Sequence, residues 1–336
     1  MKNIDYPKIS VIIPSYNQGK YIERTLLSII KQDYHGKIEI IVSDGGSTDK
    51  TVDILKRYNI IWWSEKDKGF SDAVNKGLKV AGGDIIAIQS SDDYYLQGTF
   101  RKVAKYFGTY TEYGFITGND IAIDSNNKIV RVMLKQQVIA SPSYLLQDGY
   151  IPQHATFIRK QAIDRVGGLK VTCDQCGDAD LFYRILHFYK GLIIRDLFSV
   201  YQIHAFQRSK SASHLWIEAL QRMFQECEND QYYSNMFRPS AQEKMEHMIF
   251  GEILWEYRAG NSESARKQLE DVCADKTILY SEWLNTVLNN LHREITNEKK
   301  SFYDKIFKGD IFYKVQNKIR MYSNKCFRRL DWYSQE

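Results

Sequence analysis

Residues 84–93 read Asp-Ile-Ile-Ala-Ile-Gln-Ser-Ser-Asp-Asp. An apolar run of strand length stops in two hydroxyls and two carboxylates. The run does not alternate with polar residues, so a strand here is covered on both faces. The arrangement recurs upstream. Ile9–Ile13 ends at Pro14-Ser15-Tyr16-Asn17, Ile38–Val42 at Ser43-Asp44-Gly45-Gly46-Ser47, and Ile60–Ser64 runs into Glu65-Lys66-Asp67. Helical spacing fills the gaps. Lys20–Gln32 puts Tyr21, Ile22, Thr25, Leu26, Ile29 and Ile30 on one face. Asp49–Tyr58 reads as a helix with Ser47 or Thr48 as N-cap, and Ser71–Ala81 as a helix closed by Gly82-Gly83. Alternating strands and helices with continuous apolar strands predict an α/β fold built on a mostly parallel, doubly wound sheet. Such sheets bind ligands beyond the carboxyl ends of their strands, where all four polar clusters fall.

Working outward, the middle of the chain is mixed. Phe115–Thr117 and Lys128–Met133 read as strands around the turn Asp124-Ser125-Asn126-Asn127. Tyr150–Ile158 reads as extended, Gln161–Val166 as a helix, and Asp178–Tyr189 as an amphipathic helix. From Leu215 onward only helices are expected: Leu215–Glu228, Ser240–Ala259, Ser262–Cys273, Ser281–Leu291 and a basic tail. The expected domains are a catalytic one over residues 1–212 and a helical region over residues 213–336. The chain has 336 residues, 43% hydrophobic and 26% charged, which excludes a disordered or collagen-like protein. No apolar run approaches the length of a spanning helix. The start, Met1-Lys2-Asn3-Ile4-Asp5-Tyr6-Pro7, has no secretory apolar segment, so a cytoplasmic protein is expected. Five cysteines without an export signal argue against a disulfide framework, and Cys173-Asp174-Gln175-Cys176 lacks the second pair that zinc needs.

The chemistry gathers at the strand ends. Asp92-Asp93 sets two carboxylates side by side, which repel unless a cation or donors compensate. Hard oxygen ligands in a half-open site suit Mg²⁺ or Mn²⁺ together with a substrate's phosphates. The ordinary alternative is a solvated turn. Asp44 at a strand end can accept from nucleoside hydroxyls or a base N–H, and Tyr16 can stack on a base. Taken singly, both are also common turn and edge residues. Asp72 and Lys76 lie one helical turn apart and can face a ligand together.

At this point the chain resembles a known family. Ile9-Ser-Val-Ile-Ile-Pro-Ser-Tyr-Asn17, Glu39-Ile-Ile-Val-Ser-Asp-Gly-Gly-Ser-Thr-Asp49 and Asp84 to Asp93 resemble the signature of family 2 glycosyltransferases, which have the GT-A fold. Ser64-Glu-Lys-Asp-Lys-Gly-Phe-Ser-Asp-Ala-Val-Asn-Lys-Gly77 resembles members that act on bacterial surface polysaccharides. The resemblance covers residues 7–211 and leaves the helical remainder uncovered; it implies that residues 1–100 bind the nucleotide and residues 101–212 the acceptor. It implies that Pro14, Ser15 and Tyr16 line the nucleobase pocket and that Asp44, Asp72 and Lys76 contact the nucleotide. Asp93 is implied as the direct metal ligand, with Asp92 nearer the ribose.

Further along, Gly177-Asp178-Ala179-Asp180-Leu181-Phe182-Tyr183-Arg184 resembles the family's Glu-Asp-x-Asp-Leu…Arg element, with Gly177 in place of the Glu. This makes Asp178 the expected general base. Helix capping is its structural alternative, and both can hold. His154 and Asp180 are implied beside the acceptor or donor sugar. His204, in Ile203-His-Ala-Phe-Gln-Arg-Ser-Lys-Ser211, is implied as a further metal ligand, while Arg208 and Lys210 are left open.

The implied function is inverting, metal-dependent transfer, with Mn²⁺ or Mg²⁺. A sugar moves from a nucleotide-diphosphate donor, UDP-linked, to a hydroxyl of a lipid-linked bacterial glycan in polysaccharide or lipopolysaccharide assembly. Between Lys299 and Arg329 ten Lys/Arg stand against Asp304 and Asp310, interleaved with aromatics. That tail suits either an anionic membrane surface, which makes the protein peripheral on the inner face of the plasma membrane, or packing on the catalytic domain. Nothing in the first half calls for nucleic acid. Two rivals remain. A nucleotidyltransferase wants a Gly-rich cationic loop after the first strand, and Ser15 to Lys20 holds one Gly and one Lys. A catalytically silent nucleotide-binding subunit draws support from Gly177.

Overall fold

The computed structural model describes residues 6–141, 144–145, 151–204, 207, 263 and 266–268. The chain divides into two compact units, Met1–Cys227 and Glu228–Glu336. Almost everything described lies in the first. Of the expected C-terminal helices, only Glu263 and Arg266–Gln268 fall within the described residues, and they are helical. The other C-terminal helices and the basic tail lie outside them.

In chain order the elements are β1 Ile9–Ser15, α1 Ile22–Ile30, β2 Ile38–Asp44, α2 Thr51–Leu55, β3 Ile61–Ser64, α3 Phe70–Val80, β4 Ile85–Ile88, β5 Tyr94–Tyr95, α4 Thr99–Thr109, β6 Tyr113–Ile123, β7 Ile129–Val132, β8 Val138–Ala140, β9 Thr156–Arg159, α5 Lys160–Val166, α6 Gly177–Leu186 and β10 Lys190–Gln202. One sheet carries the strands in the order β3-β2-β1-β4-β9-β6-β10-β5, with β7 on β6 and β8 on β10. The four strands β3, β2, β1 and β4 are parallel throughout. The continuation is mixed: β9 runs antiparallel to both β4 and β6, and β10 runs parallel to β6.

Period-two alternation sorts the parallel strands onto two cores. Ile9, Val11 and Ile13 of β1, Ile40 and Val42 of β2, and Ile85 and Ala87 of β4 pack with Ile22, Leu26 and Ile29 of α1 and Phe100 and Val103 of α4. Ile12, Ile41, Ile86 and Ile88 face the other way, onto Val74 of α3, Ile163 of α5 and Leu181 and Ile185 of α6. Helices therefore cover both faces of the inner strands, while the edge strand β3 is exposed at Ile61 and Ser64.

Local readings differ in instructive places. α2 starts at Thr51 with Lys50 in the N-cap position and no side-chain cap. Ser47 is engaged elsewhere, donating to Asp44 through both backbone N–H and hydroxyl. Asp49 accepts from the Thr51 backbone instead. β6 is an eleven-residue strand, buried almost throughout, that runs straight through the polar Asn119-Asp120 where the apolar run breaks. It can do so because the buried groups are paired. Asn119 donates to the Ile194 carbonyl at 3.0 Å and accepts from Lys135 N–H at 2.6 Å. β10, thirteen residues long, is masked in sequence by Arg195 and Asp196. Asp196 is taken up by Lys102 and the Tyr106 hydroxyl. The segment before β9 is extended only from Thr156, with a 3₁₀ turn at Gln153–Ala155. Among the described residues no helix is long and apolar enough to cross a membrane.

Candidate active site

The parallel register sets the strand ends side by side. Ser15 at the end of β1 is opposite Asp44 at the end of β2, and Asp44 is opposite Ser64 at the end of β3. Pro14 and Ser15 are buried, whereas Tyr16, the next residue, is 60% exposed and available to stack on a ring. Asp44 is 1% exposed. Its carboxylate accepts from the Ser64 hydroxyl at 2.6 Å, from Ser47 N–H at 2.8 Å and from the Ser47 hydroxyl. Asp44 thus shapes the Gly45-Gly46 turn from within. Asp72 and Lys76 do meet on α3. Lys76 lies 3.5 Å from Asp72 and 2.8 Å from Glu65. The Lys68 backbone N–H, against mild desolvation and helped by Lys76, holds Asp72 below the usual carboxylate range. The hydrogen bond to Glu65 leads the effects that raise Lys76.

Asp92 and Asp93 follow β4, and α1 and β10 fix the loop that carries them. The Thr25 hydroxyl lies 2.9 Å from the Ser91 carbonyl and 2.6 Å from that of Asp93. Arg24 donates to the Asp92 carbonyl at 3.2 Å and to Gln202 Oε1 at 2.7 Å. The two carboxylates diverge. Asp92 meets His204 Nε2 at 2.8 Å, and the His204 ring stacks on Tyr21 at 4.6 Å. Asp93 is 1% exposed and turns inward. Its Oδ1 accepts from Gln202 N–H at 2.8 Å, while its Oδ2 has no hydrogen-bond partner. Burial, then the charges of Asp92 and Asp120, push the Asp93 carboxyl well above its usual range, and the Gln202 hydrogen bond opposes them. The expected metal pair was Asp93 with His204; the geometry joins His204 to Asp92.

Behind Asp93 lies an array of which sequence reading found only His154. His154, 4% exposed, directs Nδ1 to within 4.0 Å of Asp93 Oδ2 and Nε2 to within 3.2 Å of Asp120 Oδ2, and its ring stacks on Tyr201. Asp120 is fully buried and also pairs with Arg131 at 3.0 Å. Desolvation pushes the Asp120 carboxyl up. The His154 hydrogen bond and charge, with Arg131 and Lys135, overcome it and hold the group low. Desolvation in turn lowers Lys135 to about 8. The available signal was an acid inside an otherwise apolar stretch, since a buried carboxylate demands partners.

Asp178 stands in the first turn of α6, half-buried. Asp174, in the 3₁₀ turn before it, accepts from Ser71 N–H at 2.6 Å and ties the start of α6 to the start of α3. The Gly177 replacement has a steric cause there. A Cβ at 177 would lie 2.8 Å from Ser71 Oγ and 3.3 Å from Leu169. The N-cap position is Cys176, a buried thiol, and it gives no side-chain cap. Asp180 is turned away into the joint between α5 and α6, paired with Arg184 at 2.7 Å and Lys170 at 3.3 Å. Arg208, Lys210 and the Cys173 side chain lie outside the described residues.

Carboxylates, an imidazole and hydroxyls at the carboxyl ends of a parallel sheet coincide with a family match. The model of glycosyl transferase family 2 matches residues 10–167. That segment is a glycosyl transferase family 2 domain. Among curated proteins, the uncharacterized glycosyltransferase MG025 of Mycoplasma genitalium is 35% identical over 107 residues, 30% of this chain and 36% of that one. The chain thus aligns with about a third of such a relative's length. Among solved structures, S. aureus TarS in complex with UDP-GlcNAc superposes with a TM-score of 0.59 at 18% identity, over 79% of this chain and 80% of that one. The mannosyltransferase PcManGT from Pyrobaculum calidifontis, in complex with GDP-Man and Mn²⁺, superposes with a TM-score of 0.54 at 16% identity, over 91% and 89%. Both carry the same GT-A α/β architecture as this chain. The matched segment of the family 2 domain stops short of Asp178, Asp180 and His204, so those three stand on their geometry.

Whether the site suits a divalent cation can be judged from its donors. Among the described residues no three His, Cys, Asp or Glu side chains form a ready-made cage. Mg²⁺ and Mn²⁺ do not require one, since one or two carboxylates plus substrate phosphates suffice. Asp92 beside His204 supplies an oxygen and a nitrogen donor, and Asp93 Oδ2, with no hydrogen-bond partner, lies on the buried side of the same loop. The residues fit the ion.

Proposed function

We propose that the chain is an inverting, metal-dependent glycosyltransferase. It transfers a sugar from a nucleotide-diphosphate donor, UDP-linked, to a hydroxyl of a lipid-linked bacterial glycan in polysaccharide or lipopolysaccharide assembly. The observation that carries the reading is the Asp92–Asp93 pair after β4, with His204 brought onto Asp92 from the end of β10, which pairs with β5. Donor chemistry is supported by the UDP-GlcNAc in TarS and the GDP-Man in PcManGT.

In this reading Tyr16 stacks on the base from the end of β1. Asp44 holds the turn against which the nucleoside lies. Lys76, oriented by Asp72 and Glu65, faces the diphosphate. Asp92 and His204 hold Mn²⁺ or Mg²⁺, and Asp93 backs them from the interior, so the two acids exchange the roles expected from sequence. When bound, the ion neutralises charge on the departing nucleoside diphosphate, which removes the need for a protein acid. Asp178 accepts the proton from the acceptor hydroxyl as that oxygen attacks the anomeric carbon from the face opposite the leaving group. His154 supports Asp93 from behind, and Asp180 braces the helix that carries Asp178.

The test is titration of UDP with and without Mn²⁺ into the wild type and the Asp92→Asn, Asp93→Asn and His204→Ala variants. Metal-dependent binding lost in Asp92→Asn and His204→Ala supports the assignment. Loss in Asp93→Asn alone returns the direct ligand to Asp93. Binding that ignores the metal in every variant overturns the metal reading, and UDP binding without turnover on any UDP-sugar favours the silent-subunit reading.

A further inference from the structure

Asp44, Asp49, Glu65, Asp67 and Asp72 are grouped around the ends of β2 and β3 and the start of α3. A carboxylate whose oxygens are already bonded has little to offer a ligand. Asp44, which the family resemblance places at the nucleotide, is 1% exposed and bonded through both oxygens. Its Oδ1 accepts from the Ser47 hydroxyl, and its Oδ2 from the Ser64 hydroxyl and from Ser47 and Gly46 N–H. Asp49 is taken on both oxygens too, by Thr51 and by Gly19 N–H. Glu65 and Asp72 are ion-paired with Lys76. Asp67 stands apart. It is partly exposed, its Oδ1 accepts from Gly69 N–H at 2.9 Å, and its Oδ2 has no hydrogen-bond or ion-pair partner among the described residues.

That oxygen has a definite place. A Cβ on residue 45 would lie 2.7 Å from Asp67 Oδ2 and 3.2 Å from Asp67 Cγ, so the glycine leaves the space in which the carboxylate sits. Gly45 N–H in turn donates to the Ser15 carbonyl at 2.8 Å, and the residue after Ser15 is Tyr16, 60% exposed. The turn that carries Gly45 thus has an open carboxylate oxygen on one side and an exposed aromatic ring on the other.

A nucleoside asks for that pair. Its base stacks on a ring, and its ribose hydroxyls and base N–H are donors that an ionised carboxylate can only accept. We propose that Asp67 reads the nucleoside of the donor by accepting a hydrogen bond from it, while Asp44 acts from within by shaping the turn against which Asp67 rests. The assignment rests on the transferase reading, which places the nucleoside at Tyr16. A site built around such an acceptor discriminates against a ligand that lacks the matching donor.

The test is calorimetric titration of the full chain, in Mn²⁺, with UDP, 2′-deoxy-UDP and UDP methylated at uracil N3. The wild type is expected to bind one of the two altered ligands about tenfold more weakly than UDP: the deoxy ligand if Asp67 meets the ribose, the methylated one if it meets the base. Asp67→Asn keeps an acceptor for Gly69 N–H and turns the open oxygen into a donor. It is expected to lose about tenfold for UDP and to bind UDP and that altered ligand equally. The proposal is overturned if Asp67→Asn binds UDP as the wild type does, if the discrimination persists in the variant, or if the wild type binds all three ligands equally. Should Asp67→Asn fail to fold, Gly45→Ala decides. Its methyl group displaces the carboxylate and is expected to remove the same discrimination, and a Gly45→Ala protein that keeps it overturns the proposal. A wild type that binds no UDP refutes the UDP-linked donor and the role of Asp67 together, whereas UDP binding that ignores Asp67→Asn refutes Asp67 alone.

Discussion

Replacing Asp93 by Asn makes the apo protein more stable, and the gain grows with pH. The side chain is 1% exposed, with Oδ1 bonded to Gln202 N–H at 2.8 Å and Oδ2 without a partner. Asn keeps the first contact. Its amide nitrogen takes the place of the partnerless oxygen, 4.0 Å from His154 Nδ1, and the charge facing Asp92 and Asp120 disappears. The new amide N–H stays without a partner, so the gain comes only from removing a buried charge that faces two other carboxylates, and it amounts to about 1 kcal/mol. For a unit of this size the change in Tm is about 2–4 °C. The sign follows from linkage. The folded carboxyl is raised, so the acid contributes no penalty below the unfolded carboxylate value near about 3.9, and an increasing one as pH rises toward the folded value. The Asn side chain does not titrate. The assay is thermal unfolding of both proteins in EDTA from pH 5 to pH 8. A variant less stable than wild type at pH 8, or an advantage that shrinks as pH rises, refutes the reasoning.

Asp178→Asn is expected to lower transfer by about 10²–10⁴-fold while leaving UDP affinity unchanged, read by parallel turnover and calorimetry. Asp120→Ala strands Arg131 and the buried His154 and costs about 3–5 kcal/mol by chemical denaturation. The depressed Asp120 carboxyl also means that its stabilisation is full above the unfolded carboxylate value and fades as pH falls through its folded value. Thr25→Val removes the hydroxyl that holds the Ser91 and Asp93 carbonyls and is expected to cost about 1–2 kcal/mol, with weaker metal-dependent UDP binding. Gly177→Ala pushes a methyl against Ser71 Oγ and is expected to cost about 1–3 kcal/mol in a thermal melt, with a larger loss for Glu. A ¹⁵N titration of the Lys135 amine is expected to show a midpoint near about 8.

The parallel half was legible because its strands are uninterrupted aliphatic runs, each ended by a polar cluster, and their register needs no side-chain detail. The later strands were not. β6 and β10 carry Asp120 and Asp196 inside them, and only the partners, Arg131 and His154 or Lys102 and Tyr106, reveal why a strand tolerates an acid. Those partners lie 11–94 residues away in the chain, beyond any local pattern. The candidate site shows the same divide. The residue types at 92, 93, 154 and 204 pointed to it, but which acid meets which imidazole depends on how β10 lies beside β6. Asp180 read as a sugar contact because its spacing from Asp178 is suggestive, and the structure turns it to Arg184 and Lys170.

The bond from Gln202 to Asp93 spans 109 residues, and that from His204 to Asp92 spans 112. As the polypeptide leaves the ribosome, the parallel strands can pair while β10 is still unmade, since β1 through β4 all precede it in the chain. The acid loop has then lost its closing partners, and Asp93 stays hydrated instead of sealed. A nascent chain halted at residue 167, the limit of the family match, is expected to hold a sheet without a working cation site. Gln202 and His204 arrive with one of the last strands described in the unit, so under the proposed function cation capture waits until most of that unit has been synthesised.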